Sequence, residues 1–289
     1  MKILVTGGAG FIASHVADSY IEQGHEVVIV DDLSRGFEHN LNPEARFYRG
    51  DIIDRAFLDE VFDREKPEVI NHHAAQMDVR RGVREPVFDA SVNILGSINL
   101  LELAIQHGLR RFIYIASAGA GYGEPKTVPV AEEYPINPIT PYGISKHTIE
   151  HYLFTFSFLY GLPYVVLRYG NVYGPRQSSK GEAGVFAIFC EQMLAGVLPV
   201  IYGDGSKIRD YVYISDVASA NVAALEREMA KCLTSAAECR QLISKYSTAF
   251  VDYSVLAASR AMRLYALVRF SALFSTYPRR LGCSAGPQI

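Results

Sequence analysis

The sequence predicts an α/β protein built on a doubly wound parallel sheet, and three observations carry that prediction. Short apolar runs of strand character alternate with longer helical stretches over the first two-thirds of the chain. The first run passes straight into a glycine-spaced turn that opens a helix, TGGAGFIASH at residues 6–15. The second run ends in two acids, Asp31 and Asp32, where a sheet of this kind offers carboxylates to a ribose.

KILVTG reads as a buried strand, residues 10–23 as a helix ending at Gly24, and HEVVIVDD as the next strand. ARFYRGD, PEVINHHAA and RRFIYIAS are further strands, separated by helical stretches near 54–65, 84–107 and 142–160. GLPYVVLRYGNVYG is a last strand running into a loop, and Pro, Gly and polar residues between 174 and 184 suggest a long functional loop. Ligands bind at the carboxyl ends of such strands. Most of the unusual residues fall there: Gly7 to Gly10, Asp31, Asp51, His73 to Gln76, Ser117 and Asn171. The expected division is a nucleotide-binding domain over 1–165, a smaller C-terminal substrate-binding region over 166–228, and an atypical tail over 229–289.

Composition narrows the function. With 49% apolar and 20% charged residues, the 289-residue chain has enough apolar material for a sizeable core. A net charge of −3 gives no reason to expect nucleic acid or an acidic membrane as partner. Cys190, Cys232, Cys239 and Cys283 show no metal spacing and read as free thiols. The start of the chain lacks a signal-peptide core and no uninterrupted apolar run reaches membrane-spanning length, so a cytoplasmic setting without a membrane span is expected. His72 and His73 resemble a metal pair, but no third ligand follows at a suitable spacing, so no metal is expected.

Gly7, Gly10 and Ala13 form G-x-x-G-x-x-A between a strand and a helix. Glycines let the backbone approach a pyrophosphate, and the helix start supplies N–H groups. Alone this pattern also fits a plain tight turn. Asp31 strengthens it, because a carboxylate accepts hydrogen bonds from both ribose hydroxyls and repels a 2′-phosphate, favouring NAD over NADP. Asp32 adds to that effect, while Arg35 argues mildly against it. In YGISK, residues 142–146, Tyr142 and Lys146 share one helix face. A neighbouring ammonium is expected to lower the phenol's pKa, making Tyr142 a general base and leaving Lys146 to hold the nicotinamide ribose. Ser117, at a strand end 25 residues earlier, would donate a hydrogen bond to the reacting oxygen.

Together with GDI at 50–52, NHHAAQMDVRRGV at 71–83, LRYGNVYGPRQ at 167–177 and GDGSKIRDYVYISDV at 203–217, these residues resemble the extended short-chain dehydrogenase/reductases. The similarity is greatest to NAD-dependent nucleotide-sugar 4-epimerases of the UDP-glucose 4-epimerase type, and it covers roughly residues 1–228. The resemblance implies a Rossmann-type sheet with Gly7, Gly10, Phe11 and Ile12 on the pyrophosphate. It puts Asp31 and Asp32 on the adenosine ribose, and Asp51 and Ile52 at the adenine. Ala74, Ala75 and Gln76 would line the cofactor, with Asn93 and Tyr169 nearby. Asn171 and Arg209 would contact the nucleotide sugar at its diphosphate, with Tyr211 close by. Family members usually form homodimers through a helix bundle, to which 84–107 and 142–160 would contribute. Sugar dehydratases and decarboxylases carry an acid just after the active-site Ser or Thr; here Ala118, Gly119 and Ala120 follow Ser117. That leaves oxidation and re-reduction at C4.

Three departures from the family pattern stand out. Ala13 replaces a third glycine, and Gly121 stands where a bulkier apolar residue is usual. The tail has eight Lys or Arg against only Glu238 and Asp252, with nothing like the family's NIGTG segment, and family chains usually run some tens of residues longer. We expect the residues after about 228 to derive from a shifted or replaced reading frame. Two alternatives therefore stay open beside the epimerase: an NAD-binding chain without complete catalysis, and a nucleotide-sugar dehydrogenase or reductase with net turnover of cofactor.

Overall fold

In a computed structural model, the described residues are 1–127, 130, 134–179, 184–201 and 209–226. The tail at 229–289, the 203–208 part of the GDGSKIRDYVYISDV motif and the centre of the 174–184 loop lie outside them.

The strands are near-continuous apolar runs, as expected where both faces of a parallel sheet are covered. They are β1 (Lys2–Thr6), β2 (Glu26–Asp31), β3 (Arg46–Arg49), β4 (Val69–His72), β5 (Arg111–Ser117) and β6 (Tyr164–Tyr169). All pair in parallel in the order β3-β2-β1-β4-β5-β6. The order reverses beside β1, creating the crevice in which such sheets bind nucleotides. Leu4, Val28, Ile70, Phe112 and Val166 pack on one face against α2 (Arg55–Glu65), α5 (Gly96–Gln106) and α7 (Pro141–Tyr160). Ile3, Val5, Ile29, Ile113 and Val165 pack on the other against α1 (Phe11–Glu22) and α9 (Ile214–Glu226).

Local chemistry sets the helix starts. Asp54 accepts from Phe57 N at the head of α2. Thr140 accepts from Gly143 N at the head of α7, with Pro141 in the first turn. A polar cluster docks α9: Asn221, wholly buried, donates to Tyr169 Oη at 2.5 Å and accepts from Asn71 Nδ2 at 2.8 Å. Tyr20 Oη in turn accepts from Asn71 at 2.6 Å.

Two elements differ from expectation. The single helix expected over 84–107 follows a separate short helix, α3 (Val79–Arg84), and contains a π turn. It runs as α4 (Pro86–Ala90), the π turn Ser91–Leu95 and α5. By length and apolarity the stretch Pro86–Gln106 is able to cross a membrane. Here it buries Leu100, Leu101, Leu103 and Ala104 in the core instead. The second difference lies at Gly170, where the last strand breaks. A Cβ there would stand 3.0 Å from Asp210 O. The chain continues as β7 (Asn171–Tyr173), which pairs in parallel with β8 (Tyr211–Tyr213) in a second, two-stranded sheet. A short helix, α6 (Ala118–Tyr122), follows Ser117, with open space around Gly121.

Candidate active site

The sheet is parallel, so β1, β2, β4, β5 and β6 present their carboxyl ends on one side, where Gly7, Asp31, Ala74, Ser117 and Tyr169 stand at or just after them. Gly7 turns there with φ +71°, and a Cβ would lie 2.8 Å from Ala74 N. Only glycine permits that approach without strain. Gly10 caps α1 without a side-chain acceptor, so Phe11 and Ile12 begin a helix whose first amides suit an anion. Ala13 is buried in the core, where its methyl is accommodated between helix and sheet.

Asp31 accepts from Ala9 N at 3.0 Å through one oxygen and from Leu33 N at 2.8 Å through the other. Its carboxylate therefore clasps the glycine loop, and each oxygen keeps lone-pair capacity for a ribose hydroxyl. Desolvation raises its pKa, opposed by those two N–H bonds. Asp32 is exposed and holds Ser34 in a local turn, while Arg35 reaches Asp78 at 3.1 Å. A glycine turn closed to any side chain, an uncapped helix start and a carboxylate at the second strand fit a dinucleotide. Asp51 accepts from Ile53 N at 3.0 Å. Ile52 buries its side chain in the core against Gly96.

Gln76 and Asn93 are hydrogen-bonded to each other. Gln76 N donates to Asn93 Oδ1 at 2.8 Å, and Asn93 Nδ2 returns a bond to Gln76 O at 3.0 Å. Both side-chain amides also reach Asp89 Oδ2, at 3.1 and 3.2 Å. Asn93 further contacts Ser145 Oγ at 3.1 Å. Their polar atoms are committed to tying the loop after β4, which carries Ala74 and Ala75, to the π turn and α7. The motif reading passed over Asp89, which is 1% exposed and has no recognisable spacing to either Tyr142 or Lys146. A charged residue among apolar neighbours at the start of a core helix was the available signal.

Ser117, the last residue of β5, pairs in register with Tyr169 of β6. Its Oγ accepts from Ala120 N at 3.3 Å, capping α6, and its O–H remains able to donate. Gly143, next to Tyr142, packs so tightly on this turn that a Cβ would stand 2.5 Å from Ala120 O. The short helix after Ser117 and the first turn of α7 therefore abut.

Tyr142 does not titrate as expected. Burial, reinforced by the charge of Asp89, pushes its phenol up to about 12. Lys146 Nζ donates to Ile115 O at 3.0 Å and lies 4.9 Å from the Tyr114 ring centroid, so its ammonium is engaged with β5. Burial brings it down to about 8, against the opposing pull of Asp89. Desolvation thus outweighs the proximity effect inferred from the four-residue spacing.

His72 bonds Thr6 Oγ1 through Nδ1 at 2.7 Å and Ser97 Oγ through Nε2 at 2.8 Å, which is a structural bridge. Neighbouring His73 is held down to about 3 by desolvation, and its Nε2 is buried without a hydrogen-bond partner among the described residues. Its ring faces Tyr169, with centroids 6.4 Å apart. In the second sheet Asn171 pairs with Tyr211, and Asn171 N and Nδ2 both donate to Asp210 O, at 2.8 and 3.2 Å. Arg209 is exposed two residues before Tyr211.

This order of strands, with a nucleotide loop at β1 and a Ser–Tyr–Lys set at β5 and α7, defines a dinucleotide-dependent enzyme of Rossmann type. Residues 3–232 match the model of the NAD dependent epimerase/dehydratase family, and the chain belongs to that family. It is 49% identical over 223 residues to a putative UDP-glucose 4-epimerase of Methanocaldococcus jannaschii, covering 77% of this chain and 73% of that protein. It is 45% identical over 229 residues to the UDP-glucose 4-epimerase of Mycolicibacterium smegmatis, covering 78% and 73%. Among solved structures it resembles the Thermotoga maritima UDP-glucose 4-epimerase with UDP-glucose, at 52% identity and a TM-score of 0.76, covering 78% and 74%. The Thermus thermophilus UDP-glucose 4-epimerase complex with NAD gives 44% identity and a TM-score of 0.75, covering 78% and 75%.

Proposed function

We infer that the protein is an NAD-dependent epimerase that inverts C4 of a nucleotide sugar, interconverting UDP-glucose and UDP-galactose. The observation that carries this reading is Ser117 and the Tyr142–Lys146 helix gathered at the carboxyl end of the sheet, with no acid following Ser117 to drive elimination. The UDP-glucose 4-epimerases among its relatives support the choice of sugar nucleotide.

NAD, when bound, would supply the hydride acceptor and donor for reversible oxidation at C4 of the sugar. The residues assigned to hold it are Gly7, Gly10, Phe11 and Ile12 at the pyrophosphate, Asp31 and Asp32 at the adenosine ribose, and Asp51 with the backbone of Ile52 at the adenine. Ala74 and Ala75 line the crevice, Gln76 and Asn93 brace it, and Tyr169 closes it beside His73. Tyr142 rests as the neutral phenol at neutral pH. Positive charge placed beside it is what allows it to accept the C4 hydroxyl proton. Ser117 donates to the same oxygen, and Lys146 offers its ammonium to the nicotinamide ribose. Asn171, Arg209 and Tyr211 bind the sugar nucleotide, Arg209 through a guanidinium suited to a diphosphate.

The assigned regions are 1–165 for the cofactor, 166–228 for the substrate and 229–289 as an atypical tail. A homodimer is assigned to the exposed apolar face shared by α7 and its neighbour, where Ile144, Phe154, Phe158 and Val87 lie open. A cytoplasmic setting and a part in galactose metabolism follow from the same reading.

The test is to incubate the purified protein with UDP-glucose and, separately, with UDP-galactose, following both interconversion and net NADH absorbance. Interconversion without net NADH is expected. Net NADH would instead indicate a dehydrogenase, and bound cofactor without conversion would indicate a binding protein. Tyr142→Phe should lower turnover by about 10²- to 10⁴-fold while NAD stays bound. Full activity in that variant would remove Tyr142 from its role.

A further inference from the structure

Outside the crevice, two imidazoles on α7 meet in an edge-on ring contact and an imidazole–imidazole hydrogen bond that the epimerase chemistry does not use. His147 and His151 stand one turn apart on one helix face, a spacing that lets two histidines grip a single ion. Their Nε2 atoms lie 3.2 Å from each other. Two nitrogens bound at about 2.0–2.1 Å to a common ion at that separation subtend an angle of roughly 100°, close to tetrahedral.

The surroundings orient the first ring. His147 Nδ1 lies 3.2 Å from Glu150 Oε2. A nitrogen facing a carboxylate carries a hydrogen, which leaves Nε2 as the ring atom that faces His151. Glu150 is itself fixed by Arg168, which donates from Nε to Oε1 at 2.9 Å and from a terminal nitrogen to Oε2. An imidazole whose second nitrogen is held by an anchored carboxylate is the usual support of a metal-ligating histidine. His147 is partly buried and His151 exposed, so the ion's outer side is open to water. Among the described residues no cluster of three or more His, Cys, Asp or Glu is formed, so the protein supplies two ligands here.

We propose that His147 and His151 form a binding site for a divalent transition-metal ion of the zinc, nickel or copper type on the outer face of α7. Imidazole ligands suit these ions and do not suit magnesium or calcium. His151 lies on the same stripe as exposed Ile144 and Phe158. His151 stands seven residues from each of them, so a second copy meeting α7 across that stripe would cover the open coordination positions.

Tag-free full-length protein, stripped with EDTA and titrated with zinc chloride in a calorimeter, should bind one ion per chain. His151→Ala and His147→Ala should each weaken that binding by at least about tenfold, as expected when half of a two-residue ligand set is removed. Because His151 is exposed, its replacement should leave the melting curve of the metal-free protein unchanged. Protein loaded with copper should show electron-spin-resonance splitting from two imidazole nitrogens, reduced in His151→Ala. Absence of zinc binding up to millimolar concentration, or equal affinity in parent and both variants, overturns the proposal.

Discussion

The charge of Asp89 reaches both Tyr142 and Lys146 from the first turn of α4, and it acts on the two groups in the same direction, favouring the proton. Asp89→Asn keeps an acceptor for the amides of Gln76 and Asn93 while removing the charge. The alkaline limb of the kcat/KM profile should therefore move to lower pH, and an unmoved limb would exclude Asp89 as a positioning residue. Lys146 makes a second prediction through its own buried ammonium. Its pKa falls from 10.5 unfolded to about 8 folded, so between those values the unfolded chain binds more protons. Folding stability from this group then rises with pH across that window, and below about 8 the full cost of the buried charge is felt. Lys146→Met should consequently gain most over the parent near pH 7, with the difference shrinking towards pH 10.5. Urea unfolding of both proteins at several pH values measures it, and a constant difference would contradict the assigned burial cost.

At the scale of elements, the cofactor crevice depends on how α9 is docked. Asn221 joins β4, β6 and α9 through Asn71 and Tyr169, in a cluster that also includes Tyr20. Asn221→Ala leaves buried polar partners unpaired and should cost about 1–3 kcal/mol or more in urea unfolding. A loss within error would mean that water takes over those bonds. The strand and helix pattern placed β1, β2, β5 and α7 within a residue of their bounds and overran the ends of β3, β4 and β6, because both faces of the sheet demand continuous apolar strands but say less about where they stop. It passed over the π turn at Ser91–Leu95 and the break at Gly170. Both are settled by partners distant in sequence: Gln76 and Ser145 engage Asn93, and Asp210 meets Gly170.

For the molecule as a whole, the exposed stripe on α7 bears on assembly. Phe158 is 79% exposed and Phe154 63% exposed, far more than a solitary surface phenylalanine requires. Phe158→Glu should convert a dimer to a monomer in light scattering while leaving the far-ultraviolet spectrum intact. A parent already monomeric at micromolar concentration would refute the assembly.

The sequence by itself determined the parallel sheet and the glycine turn after β1, and it nominated Ser117, Tyr142 and Lys146, because each rests on local spacing or periodicity. Tertiary structure alone decided how those groups titrate and which of them are committed elsewhere. Desolvation and the field of Asp89 arise only when distant segments close around the same space. Four residues of helix put Lys146 one turn from Tyr142, but folding turned its ammonium to the Ile115 carbonyl and raised the phenol that spacing alone had suggested it would lower.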